Sequence, residues 1–115
     1  MNTTQSEQKK FTVAVGCDPN AYALKDIIIS QLKGMGYVVK DFGSDDPIYA
    51  RAAFAVGEAV AAHEYDRGIL LCGTGIGMSI AANKVPGVFA ALCCDTYSAE
   101  RAIKSNNANV LAIGA

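Results

Sequence analysis

The sequence predicts an α/β protein in which helices cover both faces of a five-stranded parallel sheet. Five short apolar runs alternate with segments of helical periodicity along the 115 residues, and parallel strands require crossover connections of this kind. The runs are continuously apolar, as is typical of strands buried on both faces. A composition of 51% hydrophobic and 18% charged residues suits a compact domain, and the length suits a single one.

Strands and helices are predicted in strict alternation. Apolar runs predict the five strands at residues 11–15, 37–41, 67–71, 88–93 and 110–113. A helix is predicted in each gap, the second over residues 48–62 and the fourth ending near residue 105. Because a parallel sheet gathers the carboxyl ends of its strands at one edge, we expect the polar clusters after three of these strands to line one cleft.

Capping residues mark where the helices begin. Asp18 or Asn20 can cap the first helix, and Asp95 can cap the fourth, because their side-chain oxygens accept from free N–H groups of a first turn. Asp45-Asp46-Pro47 predicts the start of the second helix, since an acidic cap followed by proline favours helix entry.

Charge and hydropathy exclude several classes of function. A net charge of −1 gives no electrostatic basis for binding nucleic acid or an anionic membrane. No apolar run approaches the roughly 20 residues of a membrane-spanning helix, and the start of the chain lacks the apolar core of a signal peptide. Residues 1–10 are polar and are predicted to be a disordered tail or an artificial extension, which leaves residues 11–115 as the domain.

Four cysteines are present, and their spacing indicates neither a disulfide framework nor a metal site. Cys17, Cys72, Cys93 and Cys94 form no C-x-x-C pair. Three of them lie at the ends of predicted strands, where a thiol packs as a small apolar group. The interpretation is a reduced, cytoplasmic protein.

The third predicted strand runs through Cys72 into the glycine-rich turn Gly73-Thr74-Gly75-Ile76-Gly77 and then into a helix start. Such a passage points free backbone N–H groups at one spot, which suits an anion. Cys72 stands at the strand end, and a thiol that faces aligned N–H groups is expected to favour its thiolate form. One site would then hold a base or nucleophile beside a stabiliser of negative charge.

Each of these features also has a purely structural interpretation, which the residues alone leave open. Cys72 can be a core cysteine at a strand end, and the glycine loop can be a tight turn that binds nothing. No Lys-Ser/Thr pair completes the glycine pattern, which argues against a nucleotide site of the P-loop type. Asp18 can serve only as a helix cap, and Asn106 only as a turn residue after the last helix.

Several segments together resemble the ribose-5-phosphate isomerase B/galactose-6-phosphate isomerase family. They are the stretch from Gly68 to Gly87, Asp95-Thr-Tyr-Ser-Ala-Glu-Arg101, Ala108-Asn-Val-Leu-Ala-Ile-Gly114 and Gly16-Cys17-Asp18. The resemblance implies a Rossmann-like three-layer α/β/α sandwich and aldose–ketose isomerisation of a sugar phosphate without metal or cofactor. It also implies a homodimer, or a dimer of dimers, with active sites at the subunit interface.

The resemblance implies roles for individual residues. Cys72 falls on the base that moves a proton between C1 and C2, and the Thr74 hydroxyl can hydrogen-bond a substrate oxygen. The residues implied to bind substrate are Asp18, Gly73, Gly75, Ile76, Gly77 and Asn106. An enediolate-like transition state needs a base and donors aimed at the developing oxyanion, and this set would supply both.

Departures from the family pattern bear on the substrate. Pro19 and Ser105 stand where the family has histidines, and the second of these helps to open the sugar ring. Ribose 5-phosphate is the expected substrate, as the family's commonest. The alternative is a four-carbon sugar phosphate, which needs no ring opening, and the segment from Ser105 to Ala108 resembles the tetrulose-phosphate isomerase branch.

Two further interpretations stay open. The loss of two histidines is compatible with a non-catalytic sugar-phosphate-binding relative, although Cys72 and the glycine loop are retained. A flavodoxin-like carrier is disfavoured because no hydroxyl-rich phosphate loop follows the first strand. We also expect a helix after the fifth strand in such a domain, so a C-terminal truncation is expected, and the family's phosphate-binding arginines lie in that part.

Overall fold

The computed structural model describes residues 11–43 and 48–115, and within them five strands alternate with four α-helices. The strands are β1 (Thr12–Cys17), β2 (Val38–Asp41), β3 (Arg67–Cys72), β4 (Ala90–Leu92) and β5 (Val110–Gly114). The helices are α1 (Tyr22–Gly34), α2 (Tyr49–Ala61), α3 (Ile76–Ala82) and α4 (Thr96–Lys104), and a 3-10 turn, Pro19–Ala21, precedes α1.

All five strands are parallel and lie in the order β2-β1-β3-β5-β4. The chain moves one way across the sheet from β1 to β2 and from β4 to β5, and the other way from β2 to β3 and from β3 to β4. Because crossovers between parallel strands are right-handed, the two directions put their helices on opposite faces. α1 and α4 therefore share one face and α2 and α3 the other, which confirms the predicted three layers.

Side-chain packing separates the two faces in the same way. One core cluster joins Ala14, Leu70 and Ala112 of the sheet to Val56 of α2 and Met78 of α3. A second cluster joins the sheet to α1, and a third, smaller one joins it to α4.

Alternation along β3 decides which of its side chains meet which helices. Leu70 and Cys72 belong to the cluster under α2 and α3, and a Cβ at Gly68 would meet a side chain of α2 at 2.8 Å. Ile69 and Leu71 belong to the cluster under α1. Successive strand residues point to opposite faces, so the thiol at the end of β3 points toward α2 and α3.

β4 is shorter than the sequence predicts, and side-chain amides bond the backbone around its start. Residues 88–93 predict a strand, but only Ala90–Leu92 pair with β5. The Asn83 amide accepts from the Ala90 N–H at 2.8 Å and donates to the Ala90 carbonyl at 2.9 Å. The Asn109 side chain accepts from the Phe89 N–H at 2.8 Å. The Asn83 amide thus hydrogen-bonds backbone groups that would otherwise be unpaired at the edge of the sheet.

The predicted cap of α4 is confirmed, whereas neither Asp18 nor Asn20 caps α1: its N-cap is Ala21, with no side-chain hydrogen bond, because the 3-10 turn capped by Asp18 comes first. Asp95 Oδ1 accepts from the Ser98 N–H at 2.7 Å and caps α4. The helix start predicted at Asp45-Asp46-Pro47, and the tail over residues 1–10, lie outside the described residues. In the part of the chain that the structure describes, none of the helices has the length and hydropathy needed to cross a bilayer.

Candidate functional site

The chain changes its direction across the sheet at the carboxyl end of β1, the kind of place where open α/β sheets bind ligands. α1 carries the chain to β2 on one side of β1, and α2 carries it to β3 on the other side. Cys17 pairs with Leu71 in register, and the Asp18 N–H donates to the Leu71 carbonyl at 3.2 Å. Asp18 and Cys72 therefore stand at adjacent strand ends on the carboxyl edge of the sheet.

The glycine loop between β3 and α3 is closely packed at Gly75 and open at Gly73. The φ of Gly75 is 83°, in the left-handed region, and a Cβ there would stand 2.7 Å from Leu92 Cδ1 and 2.8 Å from the Ile113 carbonyl carbon. Glycine alone meets both conditions without strain. A Cβ at Gly73 would meet no atom within 4 Å, so a ligand can approach the loop from that side.

Cys72 lies beneath this loop. The residue is only 6% exposed and packs in the cluster that α2 and α3 cover. Its Sγ accepts the Gly75 N–H at 3.1 Å. The sequence predicts several N–H groups around the thiol. The structure directs the one from Gly75 at the sulfur, whereas the Ile76 N–H donates to Thr74 Oγ1 at 3.2 Å.

Thr74 is exposed at the turn of the loop. Because its oxygen accepts the Ile76 N–H, its own hydroxyl proton can be donated elsewhere. The side chain therefore fits a donor to a substrate oxygen, and it also closes the first turn of α3.

Asp18 is buried at the end of β1 and caps the 3-10 turn. Its Oδ1 accepts the Asn20 N–H at 3.0 Å, so the structural interpretation of Asp18 as a cap is confirmed. A carboxylate offers about four lone-pair sites on two oxygens. The cap therefore leaves acceptor capacity for a substrate hydroxyl.

An ion pair that sequence reasoning did not single out lies at the same edge of the sheet. Lys25 is 4% exposed, and its Nζ lies 2.8 Å from Asp41 Oδ2 and 2.9 Å from Asp41 Oδ1. The Gly43 N–H donates to the same carboxylate at 2.7 Å. A lysine four residues before Ile29, on the buried stripe of α1, is the sequence signal that could have found it.

Burial and pairing have opposite effects on the titrating groups of this cluster. Burial disfavours the charged form of Lys25, but the hydrogen bond and the charge of Asp41 outweigh it and raise the Lys25 pKa above 10.5. Burial likewise disfavours the Asp41 carboxylate, yet the hydrogen bonds from Lys25 and Gly43 hold its pKa below 3.8. Burial raises the pKa of the Cys17 thiol to about 11, so this thiol stays neutral.

A cavity of about 560 Å³ lies beside the glycine loop, on the opposite face of the sheet from Cys72. Gly73 and Thr74 form one of its walls, and residues 94–96 form another. Neither Cys72 nor Asp18 lines it. The expected single cleft is therefore divided, because the Cys72 side chain points toward α2 and α3 while the cavity lies on the α4 face.

Asn106 does not meet Cys72 within one chain. α4 begins after Asp95 at the carboxyl edge and runs back across the sheet, so Asn106 lies shortly before Val110, the first residue of β5. Cys72 pairs with Gly114 at the other end of that strand. A rise of about 3.3 Å per residue puts roughly 13 Å between the two ends of β5.

The turn after α4 also shows which asparagine has the structural role. Asn107 takes the left-handed conformation with a φ of 57°, and its N–H donates to the Ile103 carbonyl at 2.9 Å. The left-handed turn is therefore made by Asn107. Asn106 instead lines a separate pocket of about 300 Å³, together with Ser98 and Arg101.

All four cysteines lie within the described residues and are free thiols. In that same part of the chain, no group of three or more histidine, cysteine or acidic side chains could hold a metal ion.

Comparison with known proteins gives consistent matches along the chain. A family profile described as Ribose/Galactose Isomerase matches residues 13–115. A protein of Pectobacterium atrosepticum named D-erythrulose-4-phosphate isomerase is 50% identical over 109 residues, which cover 91% of this chain and 72% of the relative. A protein of Listeria innocua named Ribose-5-P isomerase B is 48% identical over 106 residues, which cover 90% of this chain and 72% of the relative. The solved structure of Clostridium thermocellum ribose-5-phosphate isomerase B superposes with a TM-score of 0.85 at 46% identity, covering 90% of this chain and 72% of that one.

Proposed function

The chain belongs to the ribose/galactose isomerase family, and we propose that, as an aldose–ketose isomerase of this family, it interconverts ribose 5-phosphate and ribulose 5-phosphate through Cys72. One observation carries the proposal: the Cys72 sulfur lies at a strand end beneath the glycine loop, where it accepts a hydrogen bond from the Gly75 N–H at 3.1 Å. The relative named Ribose-5-P isomerase B, 48% identical to this chain, supports the choice of a pentose.

The proposed reaction needs a base and a stabilised oxyanion. In the open-chain aldose, the Cys72 thiolate takes the proton from C2, the C–H electron pair forms the C1–C2 double bond, and the carbonyl pair moves onto O1. The thiol then returns its proton to C1 while the O2 proton passes to O1 and C2 becomes the carbonyl carbon. The Thr74 hydroxyl and the loop N–H groups on the open side at Gly73 would stabilise the charge on O1.

Access to the sulfur determines where the substrate lies in this proposal. Proton transfer requires the reacting carbon within hydrogen-bond reach of Sγ, and the 6% exposure of Cys72 leaves a narrow approach at the loop. The approach in this proposal runs over the loop at the carboxyl edge of the sheet, between Asp18 and the start of α3, and the open space at Gly73 leaves room for the substrate to extend across the loop. Asp18, at the adjacent strand end, is placed to accept from a substrate hydroxyl.

We further propose that the site is completed by a second copy of the chain. Asn106 lies at the opposite edge of the sheet from Cys72, so only the Asn106 of a partner subunit can reach the glycine loop. Ile76 and Ile80 stand one turn apart on the outside of α3 and are both exposed. A homodimer, alone or within a dimer of dimers, would cover these side chains.

A four-carbon substrate is the second candidate, and the residue after α4 favours it. Ser105 stands where the family's ring-opening histidine is expected, and its Oγ accepts from Arg101 Nη1 at 3.2 Å. A serine hydroxyl is a poor acid at neutral pH. An aldotetrose with phosphate on O4 has no free hydroxyl to close a five-membered ring, so it needs no ring opener. The relative named D-erythrulose-4-phosphate isomerase is 50% identical to this chain.

Steady-state kinetics of the full-length protein separate these candidates. We expect the kcat/KM for ribose 5-phosphate to exceed that for erythrose 4-phosphate, and the reverse order would replace the pentose with the tetrose. Cys72→Ala should lower kcat by about a thousandfold while sugar-phosphate binding, measured by calorimetry, persists. Cys94→Ala is the matched control, because that exposed thiol lines the cavity on the other face.

Two outcomes would contradict the proposal. If Cys94→Ala loses turnover and Cys72→Ala keeps it, the substrate lies in the cavity on the α4 face. If the parent protein binds sugar phosphates and isomerises none, it is a non-catalytic member of the family. A mixing experiment tests whether the site is shared between subunits. When the inactive Cys72→Ala and Asn106→Ala proteins exchange subunits, about half of the dimers contain one subunit of each variant, and each such dimer has one intact site of two. The mixture should therefore recover about a quarter of the parent activity.

A further inference from the structure

The aromatic ring of Tyr49 covers the first turn of α3. A Cβ at Gly77 would lie 2.6 Å from Tyr49 Cε1, 2.8 Å from Cζ and 3.1 Å from Oη, and these are the three nearest atoms. Tyr49 is the first residue of α2, which begins at the carboxyl edge of the sheet. The phenol ring therefore packs directly on the backbone of Gly77 at the edge where the glycine loop lies.

Glycine is required at residue 77 for a reason different from the one at residue 75. Gly75 has a left-handed φ of 83° and backbone atoms against it, so its own conformation excludes a side chain. Gly77 does not belong to the glycines with positive φ. What excludes a side chain there is the Tyr49 ring, and the far end of a tyrosine can swing outward.

We propose that Tyr49 is a positioning residue for the glycine loop, an inference that rests on the proposed function of that loop. The ring holds the turn that contains Gly77. That turn follows directly from Gly75, whose N–H is bonded to Cys72 Sγ at 3.1 Å. Tyr49 thereby fixes the direction of the loop N–H groups and the depth of the thiol beneath them, without touching the substrate itself.

The exposure of the ring distinguishes this role from ordinary core packing. Tyr49 is 43% exposed, so it is only partly covered, whereas the core side chains Val56 and Leu70 are 0% exposed. A ring that only filled the core would be expected to affect stability first. Here the ring restrains a segment that aims hydrogen-bond donors, and small displacements of such donors lower turnover steeply.

Four variants test the proposal by kinetics. Tyr49→Ala should lower kcat by about tenfold with KM within about twofold of the parent, and Tyr49→Phe, which keeps the ring, should retain kcat. Gly77→Ala should expel the ring and give the same loss as Tyr49→Ala. The double variant should then be no worse than either single one, because both remove one contact. Phe54→Ala is the matched control, since Phe54 is on the same helix and 38% exposed.

A second readout does not depend on turnover. Release of the loop should raise the rate at which iodoacetamide alkylates Cys72, measured by peptide mass spectrometry, by at least about fivefold in Tyr49→Ala and Gly77→Ala. Tyr49→Phe and Phe54→Ala should leave that rate unchanged. If the parent isomerises no sugar phosphate but Cys72 alkylation follows this pattern, the proposed function fails and the positioning role stands.

The proposal is overturned by either of two results. One is a Tyr49→Ala protein that keeps both the parent kcat and the parent rate of Cys72 alkylation. The other is a double variant whose loss of kcat is the product of the two single losses, since independent effects would mean that the ring does not act through Gly77.

Discussion

Replacing Gly75 by alanine tests whether the glycine loop is held as tightly as its contacts indicate. A non-glycine residue in the left-handed region costs about 1–2 kcal/mol, and the φ of Gly75 is 83°. The new Cβ would also stand 2.8 Å from the backbone carbon of Ile113, which belongs to β5 and cannot move aside. Overpacking of this kind adds about 1–3 kcal/mol. We therefore expect Gly75→Ala to lower the free energy of unfolding by about 3 kcal/mol.

Urea denaturation followed by circular dichroism measures this change, and thermal unfolding provides a second measurement. For a chain of 115 residues, 3 kcal/mol corresponds to a fall in Tm of about 10 °C. Gly34→Ala is the matched control, because Gly34 is the last residue of α1 and a Cβ there meets no atom within 4 Å. That variant should be as stable as the parent or more stable by up to about 1 kcal/mol.

Gly73→Ala separates stability from function within the same loop. A Cβ at Gly73 meets nothing within 4 Å, so the free energy of unfolding should stay within about 0.5 kcal/mol of the parent value. The added methyl group would occupy the open side of the loop, and KM for a sugar phosphate should rise. The reasoning is refuted if the free energy of unfolding of Gly75→Ala lies within about 0.5 kcal/mol of the parent value, or if Gly73→Ala is less stable than Gly75→Ala.

Two further predictions concern the cluster beside Asp18. Asp41→Asn leaves the buried Lys25 ammonium without its carboxylate and should lower the free energy of unfolding by about 2 kcal/mol at pH 7, less than a fully buried pair because the Asp41 side chain is 44% exposed. Lys25→Met removes the buried charge and should cost under about 1 kcal/mol. The Lys25 pKa is raised, so its contribution is complete below pH 10.5 and is lost as the pH rises through the raised value. The Asp41 pKa is lowered, so its contribution is present above pH 3.8 and is lost as the pH falls through the lowered value. Urea titrations across this range should show both losses in the parent and a smaller loss at each end of the range in Asp41→Asn. In the second prediction, iodoacetamide at pH 8 should alkylate the exposed Cys94 first and Cys17 only on unfolding, because burial raises the Cys17 pKa to about 11; mass spectrometry that found the opposite order would contradict it.

Local patterns in the sequence predict most of the fold, because the strands and the helix starts depend mainly on residues close to one another in the chain. The continuous apolar runs identify all five strands, and Asp95 identifies the start of α4. The sequence overestimates β4, because the apolar run covers residues 88–93 whereas only Ala90–Leu92 pair with β5. The hydrogen bonds of the Asn83 amide to Ala90, seven residues away, leave no periodic signal in the sequence.

The candidate site is less predictable because it depends on faces and edges of the sheet. The sequence correctly brings Asp18 and the glycine loop to one edge, since both follow strand ends. It does not reveal that the cavity near Gly73 lies on the opposite face of the sheet from Cys72. That depends both on which face each residue of β3 points to and on which helices cover that face. It also does not predict that Asn106 lies at the opposite edge of the sheet from Cys72, because that depends on α4 running back from the carboxyl edge.

The alternation of side chains along β3 also limits how any substrate can reach the Cys72 thiol. Cys72 points to the face of α2 and α3, and the body of β3 separates its sulfur from the cavity on the α4 face. A sugar phosphate bound in that cavity could contact Thr74 but could not bring a carbon to Sγ without passing through the sheet. The approach must therefore run over the loop at the carboxyl edge, between Asp18 and the start of α3. On that path Tyr49 packs against Gly77, and in the proposed dimer a partner subunit would supply Asn106. The proposed chemistry of Cys72 then depends on the geometry of the loop above it rather than on the cavity on the α4 face.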